Sequence, residues 1–192
     1  MPLLNIPDLN PSYDLFYVYG AILGDGTIEK DGRYAIKLGV TSEVFADFFQ
    51  QSLNKLGLRT HSWTQKQRNG SGELRNVHYA KVYSKRFFSW VCSSPTIPIS
   101  QYVAFLRGFF EAEGCNALKG SGQVKFYNSD RSLLENVKRM IERLGYSVNI
   151  IEQEQKGFGS LLRHTLYLLG GKQAGIDFLK QLDPCIKGVD CS

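Results

Sequence analysis

The 192-residue chain is 43% hydrophobic and 21% charged, enough apolar material for one domain or two subdomains of roughly 90 residues. This composition excludes a disordered chain, a collagen-like repeat and a minimal disulfide scaffold. Charge interrupts every apolar stretch well before the roughly 20 residues of a membrane span, and Met1 to Pro11 lacks the basic start and apolar run of a secretory leader. The expectation is an intracellular protein, cytoplasmic or organellar, not secreted and with no membrane partner. The net charge of +5 is concentrated in one segment: Arg59, Lys66, Arg68, Arg75, Lys81, Lys85 and Arg86 stand against Glu73 alone, leaving −1 elsewhere. Local basicity of this kind suits a surface that binds a polyanion.

In chain order, Tyr13 to Gly24 is a mostly apolar helix that Asp25-Gly26 ends, and Tyr34 to Val40 has strand character. Val44, Phe45, Phe48, Phe49, Leu53 and Leu56 fall at helical spacing, with Gly57 as the cap. Leu58 to Gln67 and Leu74 to Tyr83 alternate as strands around a hairpin tip at Asn69 to Gly72, and Lys85 to Cys92 is a further helix. After a linker at 93–101 the pattern returns: helix Tyr102 to Ala112, strand Gln123 to Tyr127, helix Ser132 to Leu144, strands Ser147 to Glu154 and Leu161 to Leu169 around Gly157 to Gly159, and helix Lys172 to Leu182. A shift of 88 residues superposes Gly20 on Gly108, Gly26 on Gly114, Lys37 on Lys125, Phe45 on Leu133, Leu56 on Leu144 and Gly57 on Gly145 without a gap. The expected fold is α+β, two αββαββα halves spanning 1–92 and 102–192 in a pseudo-twofold, monomeric arrangement.

The four cysteines, at 92, 115, 185 and 191, include no CxxC pair. Free thiols are expected, with a short Cys185 to Cys191 bridge left open. His61, His78 and His164 form no nucleophile or metal pattern. The aromatics Phe45, Phe48, Phe49, Phe87, Phe88, Trp90, Phe105, Phe109 and Phe110 recur at helical spacing and read as core.

The best-matched part of the repeat is VYGAILGDG at 18–26 against LRGFFEAEG at 106–114. This pair resembles the LAGLIDADG motif of homing endonucleases, in the single-chain, two-motif form, over nearly the whole chain. The resemblance implies in each half a four-stranded antiparallel sheet, the two forming a saddle over double-stranded DNA, with the motif helices packed together. Independently of the name, Gly20 and Gly24, and Gly108 and Ala112, form small-residue faces that allow close helix approach. Asp25 and Glu113 lie just past those faces. Two carboxylates brought together repel unless a hard divalent cation sits between them, which implies Mg²⁺, with Mn²⁺ able to substitute and Ca²⁺ able to bind without supporting cleavage. In the family the carbonyl before each acid also binds metal, which maps to Gly24 and Ala112. Taken singly, Asp25-Gly26 is an ordinary turn dipeptide. A dinucleotide loop is excluded because Glu29 stands where a third glycine would be.

Period-two alternation puts Arg75, Val77, Tyr79 and Lys81 on one face of their strand, the face expected toward DNA. The strand before it leaves both faces open: His61, Trp63, Gln65 and Gln67 on one, Thr60, Ser62, Thr64, Lys66 and Arg68 on the other. Gln65, Lys66, Gln67 and Arg68, near the tip, are candidate contacts to the outer half-site. Lys37 and its repeat mate Lys125, with Gln123, Tyr127, Asn149, Gln153, Lys156 and Arg163, are the remaining sheet candidates. Glu152 and Glu154 fit poorly beside phosphates. Many relatives carry a basic residue near each cleavage centre; Thr96 to Gln101 contains none, which leaves Lys187, Lys119 and Lys125 as candidates.

The resulting expectation is a site-specific double-strand DNA endonuclease, cutting a long asymmetric target to leave 3′ overhangs, with no protein partner required. The lack of flanking splicing-domain sequence favours an intron-encoded enzyme over an intein. The alternative is a non-cleaving nucleic-acid binder, a group I intron maturase acting on intron RNA or a transcriptional regulator reusing the scaffold.

Overall fold

Four of the six α-helices among the described residues begin at a residue whose side-chain oxygen accepts a hydrogen bond from a backbone N–H three positions on: Ser12 from Leu15, Ser42 from Phe45 and Ser84 from Phe87, each at 3.3 Å, and Asp130 from Leu133 at 3.1 Å. Each cap satisfies an N–H with no intrahelical partner and is worth about 1 kcal/mol. The computed structural model describes residues 6–29, 33–154 and 162–189. The helices are α1 (Tyr13–Asp25), α2 (Glu43–Lys55), α3 (Lys85–Cys92), α4 (Tyr102–Glu113), α5 (Arg131–Arg143) and α6 (Gly171–Leu182). The strands are β1 (Gly26–Glu29), β2 (Ala35–Val40), β3 (Thr60–Arg68), β4 (Leu74–Tyr83), β5 (Gly114–Ala117), β6 (Gln123–Asn128), β7 (Val148–Glu154) and β8 (Leu162–Leu168). The order is αββαββα twice.

Two antiparallel sheets result, ordered β1-β2-β4-β3 and β5-β6-β8-β7. Periodicity gives bounds for three strands of each sheet. The fourth, β1 or β5, starts on the residue after each motif acid and is too short to show a period. The chain divides into two compact units, Met1–Phe109 and Phe110–Ser192, with α4 contributing to both. No helix among the described residues is long and apolar enough to cross a membrane.

In the first unit α1 is buried from Leu15 to Ile22 on every side, as a helix apolar all round must be. It packs beneath the sheet face formed by Ile36, Leu38, Ala80 and Val82, with Phe45, Phe49 and Leu53 of α2 and Phe87 and Val91 of α3 completing the core. Gly57 ends α2 in the left-handed region at φ +77°, its N–H bonded to the Asn54 carbonyl.

The first two turns of α4 belong to this unit and lie directly on α1. A Cβ on Gly20 would fall 2.1 Å from the carbonyl oxygen of Phe105, and one on Gly108 would fall 2.0 Å from that of Tyr17. The two backbones touch at these glycines, a separation no larger residue allows. Arg107 adds a tie: its guanidinium donates to the Tyr13 hydroxyl at 2.8 Å and lies 4.5 Å from the Phe48 ring centre.

In the second unit Val124, Phe126, Leu166 and Leu168 form the buried sheet face, against Leu134, Val137 and Ile141 of α5 and Phe178, Leu179 and Leu182 of α6. The Phe126 ring meets Phe110 and Phe178 edge-on at 5.3 and 6.2 Å.

Candidate nucleic-acid interface and motif acids

Each motif ends in an acid, a glycine and a strand, and the glycine explains the geometry. A Cβ on Gly26 would lie 2.5 Å from the Ile22 carbonyl oxygen, and one on Gly114 would lie 2.4 Å from that of Phe110. The strand can therefore fold back on the helix end only where no side chain intervenes. Asp25 is exposed at the end of α1, immediately before edge strand β1 of the first sheet. Gly20 and Gly108 are the points of backbone contact described above.

In the second unit Glu113 is partly exposed, and its Oε1 accepts from Asn128 Nδ2 at 2.9 Å. The tail after α6 wraps this helix end. Cys185 N–H donates to the buried carboxylate of Glu111 at 2.6 Å, and Asn116 Nδ2 donates to the carbonyls of Lys187 and Gly188 at 3.2 and 2.9 Å. Lys187, itself at φ +61°, is thereby placed with Nζ 2.7 Å from the Glu111 carbonyl and 3.2 Å from that of Ala112. A cation at a helix C-terminus is favoured by the carbonyls gathered there. Cys92 and Cys115 are free thiols; Cys191, the other half of the bridge left open with Cys185, lies outside the described residues.

Strand pairing resolves the faces of the first sheet. Lys37 pairs with Lys81, Gly39 with Tyr79, Trp63 with Tyr79, Gln65 with Val77 and Gln67 with Arg75. Cross-strand partners share a face, so Lys37, His61, Trp63, Gln65, Gln67, Arg75, Tyr79 and Lys81 stand together on the side away from the core. Lys66 and Arg68 pair with Asn76 and Leu74, which puts them on the opposite face near the hairpin tip, where Arg68 donates to the Gly72 carbonyl at 3.0 Å.

Two of the open-face cations share an acid. Glu29 lies 2.5 Å from Lys81 and 3.5 Å from Lys37. The hydrogen bond from Lys81 holds the Glu29 carboxyl below its ordinary range, and the same bond raises the Lys81 ammonium above its own. Arg75 pairs with Glu73 at 2.7 Å. Trp63 and Tyr79 stack, ring centres 4.8 Å apart at 13°. Glu29, His61 and Trp63 are members of this face that sequence reasoning left out of the site. Trp63 sits in a strand polar on both sides, where only the register with β4 decides direction.

The open face of the second sheet follows the same logic. Lys125 pairs with Tyr167, Tyr127 with Thr165, Asn149 with Tyr167 and Gln153 with Arg163, and Gln123 lies at the far end of β6. Lys125 Nζ lies 5.2 Å from the Tyr167 ring centre, and the Arg163 guanidinium lies 4.3 Å from that of Tyr127. Burial raises the Tyr127 hydroxyl above its ordinary pKa. Glu152 is in register with His164 on the other face, 3.7 Å from both His164 and Arg131, which takes one of the two acids that fitted poorly off this surface. Lys119 is exposed in the turn after β5. Lys156 and the tip at 157–159 lie outside the described residues.

A repeated αββαββα half, with a glycine-bearing helix ending in an acid at the edge of a four-stranded antiparallel sheet, defines the LAGLIDADG fold class. The chain belongs to the family described as LAGLIDADG-like domain, which matches residues 12–91 and 100–174. The matched segments stop before the tail that carries Lys187. The chain is 25% identical over 171 residues to the uncharacterized protein MJ0314 of Methanocaldococcus jannaschii, covering 80% of this chain and 62% of the relative. It is 29% identical over 168 residues to MJ0398 of the same organism, covering 83% and 59%. The chain thus spans about three fifths of the length of these relatives. Among solved structures, the homing endonuclease I-DmoI in complex with DNA and Mn is similar with a TM-score of 0.63 at 21% identity, over 90% of this chain and 97% of that one. The N-terminal LAGLIDADG domain of DUF199/WhiA is similar with a TM-score of 0.65 at 15% identity, over 90% and 82%.

Proposed function

We propose that the chain is a site-specific, magnesium-dependent endodeoxyribonuclease of the homing type, intron-encoded, which hydrolyses both strands of a long asymmetric duplex to leave 3′ overhangs. The observation that carries this reading is the acid at the end of both motif helices, Asp25 and Glu113, each at the edge of a sheet whose open face holds lysine and arginine. A helix stop alone needs no acid twice at one repeat position. The donors fit magnesium: carboxylates and main-chain carbonyls are hard oxygen ligands. Among the described residues no three His, Cys, Asp or Glu cluster as a closed site, so an ion held here would need phosphate oxygens and water as further ligands. Asp25 with the carbonyl of Gly24 in one unit, and Glu113 with that of Ala112 in the other, would each hold such an ion, which would supply activation of the attacking water and charge stabilisation of the departing 3′ oxygen. Asn128 keeps the Glu113 carboxylate oriented. Lys37, Arg75, Lys81, Lys125 and Arg163 take phosphates, Tyr79, Gln65, Gln67, Gln123, Tyr127, Asn149 and Gln153 reach base edges, and Lys66, Arg68, Lys119 and Lys156 touch the flanks.

One observation favours a second reading, a DNA-binding protein that does not cleave. The Lys187 ammonium already lies on the Ala112 carbonyl, one of the oxygens the metal reading uses. A cleavage selection in Mg²⁺ on a randomised plasmid library, sequenced at the cut ends, separates the two. Under the endonuclease reading, discrete ends with a fixed 3′ overhang accumulate. Asp25→Asn and Glu113→Gln each lose double-strand cutting by at least about 10³-fold while keeping the fold and binding in Ca²⁺. Tight, salt-sensitive binding with no cut in the native chain would leave the second reading.

A further inference from the structure

The open face of the first sheet carries two exposed large aromatic side chains, Trp63 and Tyr83, and of these Trp63 is the one laid flat on a second ring. Trp63 is 41% exposed although it stacks on Tyr79. The platform is built in advance of any ligand. Gly39 gives Tyr79 room to lie against the sheet, since a Cβ there would fall 2.4 Å from the tyrosine ring. Gln67 Nε2 donates to the Tyr79 hydroxyl at 2.6 Å, and Lys37 Nζ lies 5.7 Å from the ring centre. A broad apolar surface held rigid among Lys37, Arg75 and Lys81 needs a partner that is anionic overall and apolar at one point. In the major groove every base edge presents polar atoms, and the one apolar group is the C5-methyl of thymine.

We infer that Trp63 is a specificity-determining residue that reads a thymine methyl in the half-site facing this sheet. The inference rests on the duplex-binding part of the functional reading and names a feature of the target. The Gly39–Tyr79–Trp63 row lies one residue beyond the Gly26–Leu38 pair, level with Asp25. Three strand spacings of about 4.8 Å separate Trp63 from that end of β1, or about four base-pair steps. The thymine therefore lies about that far from the phosphate Asp25 serves.

The test uses the duplex recovered by selection on the full chain in Ca²⁺. Each thymine is replaced singly by uracil, which removes only the methyl, and affinity is measured for the native chain, Trp63→Ala and Trp63→Phe. The native chain should lose about fivefold at one or two thymines of one half-site, Trp63→Ala should be indifferent to uracil at those positions, and Trp63→Phe should keep part of the sensitivity. Unchanged melting of Trp63→Ala separates contact from fold. A native chain indifferent to uracil throughout a tightly bound duplex overturns the methyl contact and leaves the duplex reading standing. A shift of tight binding to the single strand, as stacking on an unpaired base would give, overturns it too. Absence of any bound nucleic acid overturns both readings together.

Discussion

Glu29 sits between Lys37 and Lys81, so the sheet face meets a polyanion with two of its cations already engaged. Because binding of each phosphate releases counterions, log K falls with log salt by about 0.9 for each phosphate neutralised. Glu29→Gln should therefore tighten DNA binding at low salt and steepen that slope by up to about 1.8 units, about 0.9 for each lysine released. A slope identical to the native chain would mean that the lysines stay off the phosphates. The pH dependence has a definite sign. Glu29 has a lowered pKa in the folded chain, so its pairing is present above the ordinary glutamate value of 4.5 and is lost as pH falls through the lower folded value. Lys81 has a raised pKa, so its share is complete below the ordinary lysine value of 10.5 and is lost as pH rises through the higher folded one. Between about pH 5 and pH 9 the clamp should not titrate, and the Glu29→Gln effect should be flat across that window. These residues also mark a limit of the sequence. Glu29 is 52 positions from Lys81, and its strand is too short to betray a face.

At the scale of elements, the contact between α1 and α4 depends on two glycines. Gly20→Ala or Gly108→Ala would put a methyl about 2 Å from a carbonyl oxygen of the facing helix, which only separation of the helices relieves. Each should cost about 3 kcal/mol, read as a lowered urea midpoint with an unchanged slope. The double variant should cost less than the sum, since one displacement relieves both clashes. Full additivity would mean that the two positions do not share a contact. These glycines were legible because a repeat put them in register, and the helices were legible because caps and apolar spacing are local. The faces of β3 were not, because Thr60 to Arg68 is polar on both sides and only pairing with β4 orders it. Lys187 was legible as a candidate by its place in the repeat. Its engagement with the α4 carbonyls depends on Cys185 and Asn116, which no local pattern ties to it.

For the whole molecule, the two halves share a plan but not a surface. The first sheet offers Lys37, Arg75, Lys81, Trp63 and Tyr79 where the second offers Lys125, Arg163, Tyr127 and Asn149. The three basic side chains on the two open faces that Glu29 does not hold, Arg75, Lys125 and Arg163, each neutralising one phosphate, give an expected native salt slope of at least about −2.7, or a loss of at least about 40-fold between 50 and 200 mM salt. A flat response would remove the open faces from the binding surface. Their unlike side chains carry a further consequence. A duplex built from two copies of either half-site keeps every phosphate but offers one sheet the wrong base edges, and each wrong base pair costs about 1 to 3 kcal/mol. Both symmetrised duplexes should therefore bind at least about 100-fold more weakly than the selected site while keeping the same salt slope, because phosphate contacts set the slope and base edges set the offset. Equal affinity for a symmetrised and a native duplex would mean that one sheet alone reads sequence, and single-turnover nicking of each strand would then identify which acid, Asp25 or Glu113, acts beside it.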